Sequence, residues 1–72
     1  GEKMDESMIK KRLDYFKEKK VEVHIVKKDK EWLNCFVISE EEPGVYIVKE
    51  RKFGTMHVFL EEVQRVNEIF SR

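Results

Sequence analysis

Three side chains carry the intrinsic chemistry for catalysis or metal binding: His24, Cys35 and His57. A thiol with an imidazole base would make a nucleophile, and thiol and imidazoles together are zinc ligands. Their positions support neither. They show no paired ligand spacing, no Ser/His/Asp set lies at a recognisable interval, and no glycine-rich loop is present to cradle a phosphate. His24 and His57 read as ordinary strand residues. Cys35 reads as a small buried apolar residue, because a reactive thiol needs exposure and an electropositive setting. A single cysteine cannot form an internal disulfide. The expectation is a non-enzyme without metal or cofactor.

Charge and aromatic chemistry is more promising. Residues 17–30 hold six lysines (Lys17, Lys19, Lys20, Lys27, Lys28, Lys30) against Glu18, Glu22 and Asp29. Residues 31–42 hold Glu31, Glu40, Glu41 and Glu42 and no basic residue. One side of the surface is therefore basic and another acidic. Lys17, Lys19 and Lys20 fit two readings, contact with phosphate or favourable charges at the negative end of a helix. Trp32 likewise fits packing in a core or interface, or a platform on which a base stacks. Lys49, Arg51 and Lys52 fall at a hairpin tip and read by default as a solvated charge run, with contact to RNA as the alternative. Phe59 reads as a core or interface aromatic.

These residues must be positioned by a helix and about five short strands. Residues 4–20 form the expected helix, with Asp5 as N-cap and Met4 and Ile9 as a hydrophobic staple. Met8, Ile9, Leu13 and Phe16 make its apolar stripe. Residues 21–26 alternate as a first strand, and Lys27 to Lys30 form a charged turn. Trp32 to Ser39 is a second strand, apolar on both faces through Trp32, Leu33, Cys35, Phe36, Val37 and Ile38. Pro43-Gly44 makes a tight turn. Val45 to Glu50 and Thr55 to Leu60 form a hairpin turning near Lys52-Phe53-Gly54. Glu61-Glu62 turns the chain into a last strand, Val63 to Val66, and residues 67–72 form a short tail in which Ile69 and Phe70 can pack.

Size sharpens this layout. The 72 residues make one domain with one core. Chains below roughly 70–80 residues seldom bury enough apolar surface alone, so assembly into a multimer is expected. Charged residues make up 42% of the chain, and fifteen basic side chains balance fifteen acidic ones. No whole-molecule field therefore draws it to nucleic acid. Gln64 is the one glutamine and Asn34 and Asn67 are the asparagines, a composition that fits a heat-adapted (thermophilic) protein with surface ion-pair networks. No long apolar run or signal-peptide pattern is visible, so a cytoplasmic location is expected.

The order of elements resembles the Sm-like family, most closely the Hfq-type RNA chaperones. The residues that carry the resemblance are Leu13-x-x-Phe16-x-x-x-Lys20-Val21-x-Val23, then Leu33-Asn34-Cys35, then His57-Val58-Phe59-Leu60-Glu61-Glu62-Val63-x-x-Val66. The resemblance spans nearly the whole chain and rests on the order and spacing of these pieces with the N-terminal helix. It implies a mostly β fold: an N-terminal α-helix followed by a five-stranded, strongly bent Sm-like or SH3-like small barrel over residues 21–66. It implies a homohexameric ring in which the Thr55–Leu60 strand of one subunit pairs with the Val63–Val66 strand of the next, with Val58, Phe59, Leu60, Val63 and Val66 at the interface. It also implies binding and annealing of single-stranded RNA, in post-transcriptional regulation, through Lys17, Lys19, Lys20, Lys30, Trp32 and Asn34. Asn34 stands where the family has a purine-binding glutamine. The chain departs from the family at Leu60-Glu61, in place of a Lys-His pair, and at Glu41-Glu42-Pro43-Gly44, in place of an acidic-Gln-Phe loop. Carboxylates there would repel phosphate from the face on which the family binds uridine.

A different class remains open: an SH3-like barrel that serves as a protein-interaction or assembly module without RNA affinity. The acidic Glu40–Glu42 run and the zero net charge favour it.

Overall fold

A computed structural model describes residues 4–70. Helix α1 (Glu6–Lys19) is followed by β1 (Glu22–Lys27), β2 (Trp32–Glu42), β3 (Val45–Glu50), β4 (Gly54–Phe59), a single 3-10 turn (Leu60–Glu62) and β5 (Val63–Glu68). Asp5 starts α1 as expected, because its Oδ1 accepts the orphan N–H of Met8 at 2.8 Å. Lys20 ends it in the left-handed region, at φ 56°, with its N–H turned back to the carbonyls of Phe16 and Lys17. The expected 4–20 span is thus trimmed to the residues between these caps. Ile9, Leu13 and Phe16 are buried, and Met4 packs against the same core. Met8 departs from the expected stripe: it is 47% exposed and faces away from the sheet.

All strands join one antiparallel sheet in the order β4-β3-β2-β1-β5. The sheet is open. Among the described strands β4 pairs with β3 alone and β5 with β1 alone, so each keeps a free edge. Its inner face carries Val23, Ile25, Leu33, Cys35, Val37, Tyr46, Val48, Val58, Val63 and Val66, and α1 lies on them.

β2 runs to Glu42, past the expected end at Ser39. Register shifts at Val37/Ser39 and Glu40/Glu42 let the polar run keep pairing with β3, and each bulge bends the strand and increases its twist. β2 is also apolar on both faces without being buried on both. Leu33, Cys35 and Val37 point inward, whereas Trp32, Phe36 and Ile38 are exposed. β5 likewise continues two residues beyond Val66, through ladder pairs Asn67 with His24 and Glu68 with Val23. Phe70, expected as a packing residue, is 82% exposed.

Polar clamps fix the bend. Lys10 Nζ lies 3.1 Å from both Asp14 and Glu40, and the buried Tyr46 donates its hydroxyl to Asp14 at 2.8 Å. Burial opposes ionisation of Asp14, yet Tyr46 and Lys10 outweigh it and hold its carboxyl below the usual value. Glu50, on the inner face, accepts the N–H groups of Lys52 and Phe53 and so closes the β3–β4 turn. Arg51, expected to be solvated, forms a two-pronged pair with Glu22 at 2.6 and 2.7 Å. The expected turn at Glu61-Glu62 is the 3-10 turn, with Glu62 bonded to the Phe59 N–H and set against Lys27.

Candidate nucleic-acid interface

The register of β1 against β2 brings His24 directly opposite Asn34 on the outer face. His24 Nδ1 lies 2.7 Å from Asn34 Oδ1. An amide oxygen only accepts, so in this orientation Nδ1 donates and the Asn34 amino group stays free to donate elsewhere. Trp32 is on the same face, one diagonal step along the ladder. Its ring centroid is 5.5 Å from that of His24, at 35°, and it is 59% exposed. That exposure removes the core reading of Trp32. The result is an open aromatic plate, buttressed from one side, with a free amide donor beside it. Sequence reasoning missed His24 in this cluster. Its part depends on strand register, which the alternation of residues 21–26 does not state.

The lysines separate into different places. Lys17 and Lys20 line a depression of about 310 Å³ with Glu18, Ile38 and Ser39, at the far end of β2 from Trp32. A separation of six strand residues is about 20 Å. Lys19 instead sits over the Tyr15 ring, 5.6 Å from its centroid. Lys30, left-handed at φ 78° in the β1–β2 turn, lies with Lys28 by the start of α1 and β5. The six residues expected to bind RNA therefore form no single patch: Trp32 and Asn34 are together, Lys30 lies in the turn that leads into Trp32, and Lys17, Lys19 and Lys20 lie on the helix.

The residues expected at a subunit interface also divide. Val58, Val63 and Val66 are fully buried within the chain and Leu60 packs partly against the core, so their side chains are committed inside. Phe59 is 46% exposed on the outer face of β4. What β4 and β5 offer outward is backbone, the unpaired edge of each strand.

The thiol and the second imidazole lie apart from this cluster. Cys35 is buried, and that burial, with Glu50 and Glu22 nearby, pushes its thiol up to about 12. His57 pairs with Glu41 at 2.9 Å on the surface. Among the described residues no group of three His, Cys, Asp or Glu side chains converges as metal ligands would, and no helix is long and apolar enough to cross a membrane. No family model, curated protein or solved structure matches the chain.

Proposed function

We propose that this protein is a single-stranded-RNA-binding small barrel of the Sm-like, Hfq type, closed between copies rather than within one chain. The observation that carries the reading is the Trp32–His24–Asn34 cluster: an exposed aromatic plate with an amide donor at its side. Stacking a base on such a plate contributes roughly 1–3 kcal/mol whatever the base. The free Asn34 amino group could add a hydrogen bond to an acceptor on the base edge, which all four bases offer. Lys17 and Lys20 would hold phosphate along the strand's path. The two free edges support assembly, because β4 of one copy can cover β5 of the next and supply the buried area that so short a chain lacks. An assembly of this kind repeats each weak site around a ring and brings RNA strands together by multivalency, with no covalent step.

The test is fluorescence anisotropy of labelled oligouridine and oligoadenosine with the wild type and Trp32→Ala. Wild-type binding that weakens by about tenfold or more in the variant supports the reading. Equal binding by both proteins removes Trp32 from it, and no binding by either removes RNA.

A second reading, a protein-interaction barrel, is favoured by Phe36 and Ile38, which continue the exposed apolar line of β2 beyond Trp32. Nucleic acid carried through purification, seen as a raised ratio of absorbance at the nucleic-acid and protein maxima, separates the two.

A further inference from the structure

The edge of β5 has no strand beside it, yet one of its outward backbone groups is already taken. Opposed residues in an antiparallel ladder alternate between pairs that exchange hydrogen bonds and pairs whose N–H and C=O groups turn away from each other. The Ile69 N–H donates to the Glu22 carbonyl at 2.9 Å. Along the register from there, His24 and Asn67 form the next bonded pair, whereas Val23–Glu68 and Ile25–Val66 are unbonded. The backbone groups of Val66 and Glu68 therefore point out of the sheet, where a further strand would add.

Arg12 stands at that edge. Its Nε donates to the Val66 carbonyl at 3.0 Å and its Nη2 to Asn67 Oδ1 at 3.2 Å. The guanidinium lies 5.4 Å from the Phe16 ring centroid, so the side chain leaves the helix across that ring and ends on the strand. A strand that paired with β5 would bring its own N–H to the same oxygen, in the place the guanidinium holds. Arg12 must turn away before pairing can reach Val66.

The edge of β4 is covered in the opposite sense. The Leu60 N–H donates to the Gly44 carbonyl at 2.8 Å, which makes Tyr46–Val58 a bonded pair and turns the Phe59 backbone outward. Glu62 Oε1 accepts that outward N–H at 3.1 Å, with Lys27 3.5 Å away on its own carboxylate. One edge has an acceptor covered by a donor side chain, and the other a donor covered by an acceptor side chain. These are the two kinds of group that strand edges exchange when they pair.

We infer that Arg12 is a guard on the β5 edge that competes with β4 of a second copy and raises the concentration at which copies join. The inference rests on the edge-to-edge assembly proposed above and is independent of RNA. Side-chain cover of this kind restrains strand addition without abolishing it, because a single hydrogen-bonded side chain can rotate off.

The experiment compares the full-length wild type with Arg12→Met and Lys11→Met by sedimentation and native mass across a range of concentrations. Arg12→Met keeps an apolar stem on Phe16 and removes the donors; Lys11→Met removes the same charge one residue away. Circular dichroism confirms the fold of each. Arg12→Met should assemble at a concentration at least about tenfold lower than the wild type, and Lys11→Met should match the wild type. Amide hydrogen exchange, read residue by residue, should show the Val66 and Glu68 N–H groups protected in the assembled variant. Equal or weaker assembly of Arg12→Met, with those amides protected in both proteins, overturns the guard and leaves edge pairing intact. Tighter assembly with Val66 and Glu68 still exchanging freely overturns the inference by placing the contact elsewhere. Single chains at every concentration in all three proteins overturn both the guard and the edge assembly.

Discussion

Tyr46 and Asp14 meet at 2.8 Å across the boundary between sheet and helix, the phenol sealed in the core and the carboxylate at its rim. The hydrogen bond fixes α1 against β3. It also binds the charge state of the surface cluster Lys10, Asp14 and Glu40 to the packing of the interior.

Tyr46→Phe keeps the ring and deletes that bond. It should cost about 1–2 kcal/mol in urea unfolding, since Asp14 loses one hydrogen bond and keeps Lys10 as its remaining partner. Leu13→Ala, which empties a fully buried site under the helix, should cost more, about 2–5 kcal/mol. A variant order reversed in the unfolding curves would deny the polar clamp its secondary place.

Stability should fall at both ends of the pH scale. Asp14, Glu22 and Glu40 are all held below their usual values: Asp14 by Tyr46 and Lys10 against its burial, Glu22 by Arg51, and Glu40 by the Gly44 N–H and Lys10. Groups lowered by folding stabilise above their unfolded value, and that contribution is lost as the pH falls through the folded one. On the alkaline side, burial pushes Cys35 from 9.0 up to about 12, and burial with the Asp14 bond pushes Tyr46 from 10.0 up to about 12. For these the contribution is complete below the unfolded value and is lost as the pH rises towards about 12. Lys10, raised by Asp14, Glu40 and Tyr46, adds an effect of the same sign. Chemical unfolding at stepped pH checks both limbs, and Tyr46→Phe with Cys35→Ala should shallow the alkaline one.

Replacing Lys17 and Lys20 by alanine should flatten the dependence of RNA affinity on salt. The slope of log affinity against log salt should change by about 0.7 for each phosphate of a single strand that the variant no longer neutralises. An unchanged slope would leave these lysines their role at the helix end, visible as a drop of about 0.3–1 kcal/mol in stability.

Phe59→Lys should leave circular dichroism unchanged, because the ring lies on the exposed face of β4. If copies pair through β4, a charge there should lower the native mass towards a single chain. Wild-type mass in the variant would place assembly elsewhere.

Much of the fold is local and therefore legible in the sequence. Asp5 announces the helix, the spacing of Ile9, Leu13 and Phe16 its buried line, and Pro43-Gly44 the turn between β2 and β3, where Gly44 takes φ 80°. The errors come where partners decide. Glu40 to Glu42 fall outside the expected second strand, which ends at Ser39 with its apolar run, but bulges let the strand continue and pair Glu40 and Glu42 with β3. Met8 reads as core because helical spacing alone cannot set the width of the buried stripe. Trp32 reads equally as a packed side chain or an open platform, and its exposure, which removes the core alternative, follows only from which face the β1–β2 register turns outward. The site suffered most: His24 enters it through a cross-strand partner ten residues away, and the lysines leave one another because they end on different faces of α1.

The two free edges belong to different strands, β4 and β5, joined by the single 3-10 turn at Leu60–Glu62. Any pairing that joins one to the other is therefore head-to-tail rather than twofold, and such a series either closes on itself or continues as a filament. Which of these occurs depends on the angle between the edges, and the register shifts in β2 that accommodate Ile38 and Glu41 help set that angle. If copies pair edge to edge, the bulges would set how many close the series, and deleting Ile38, which removes one of them, should change that number or give a fibre.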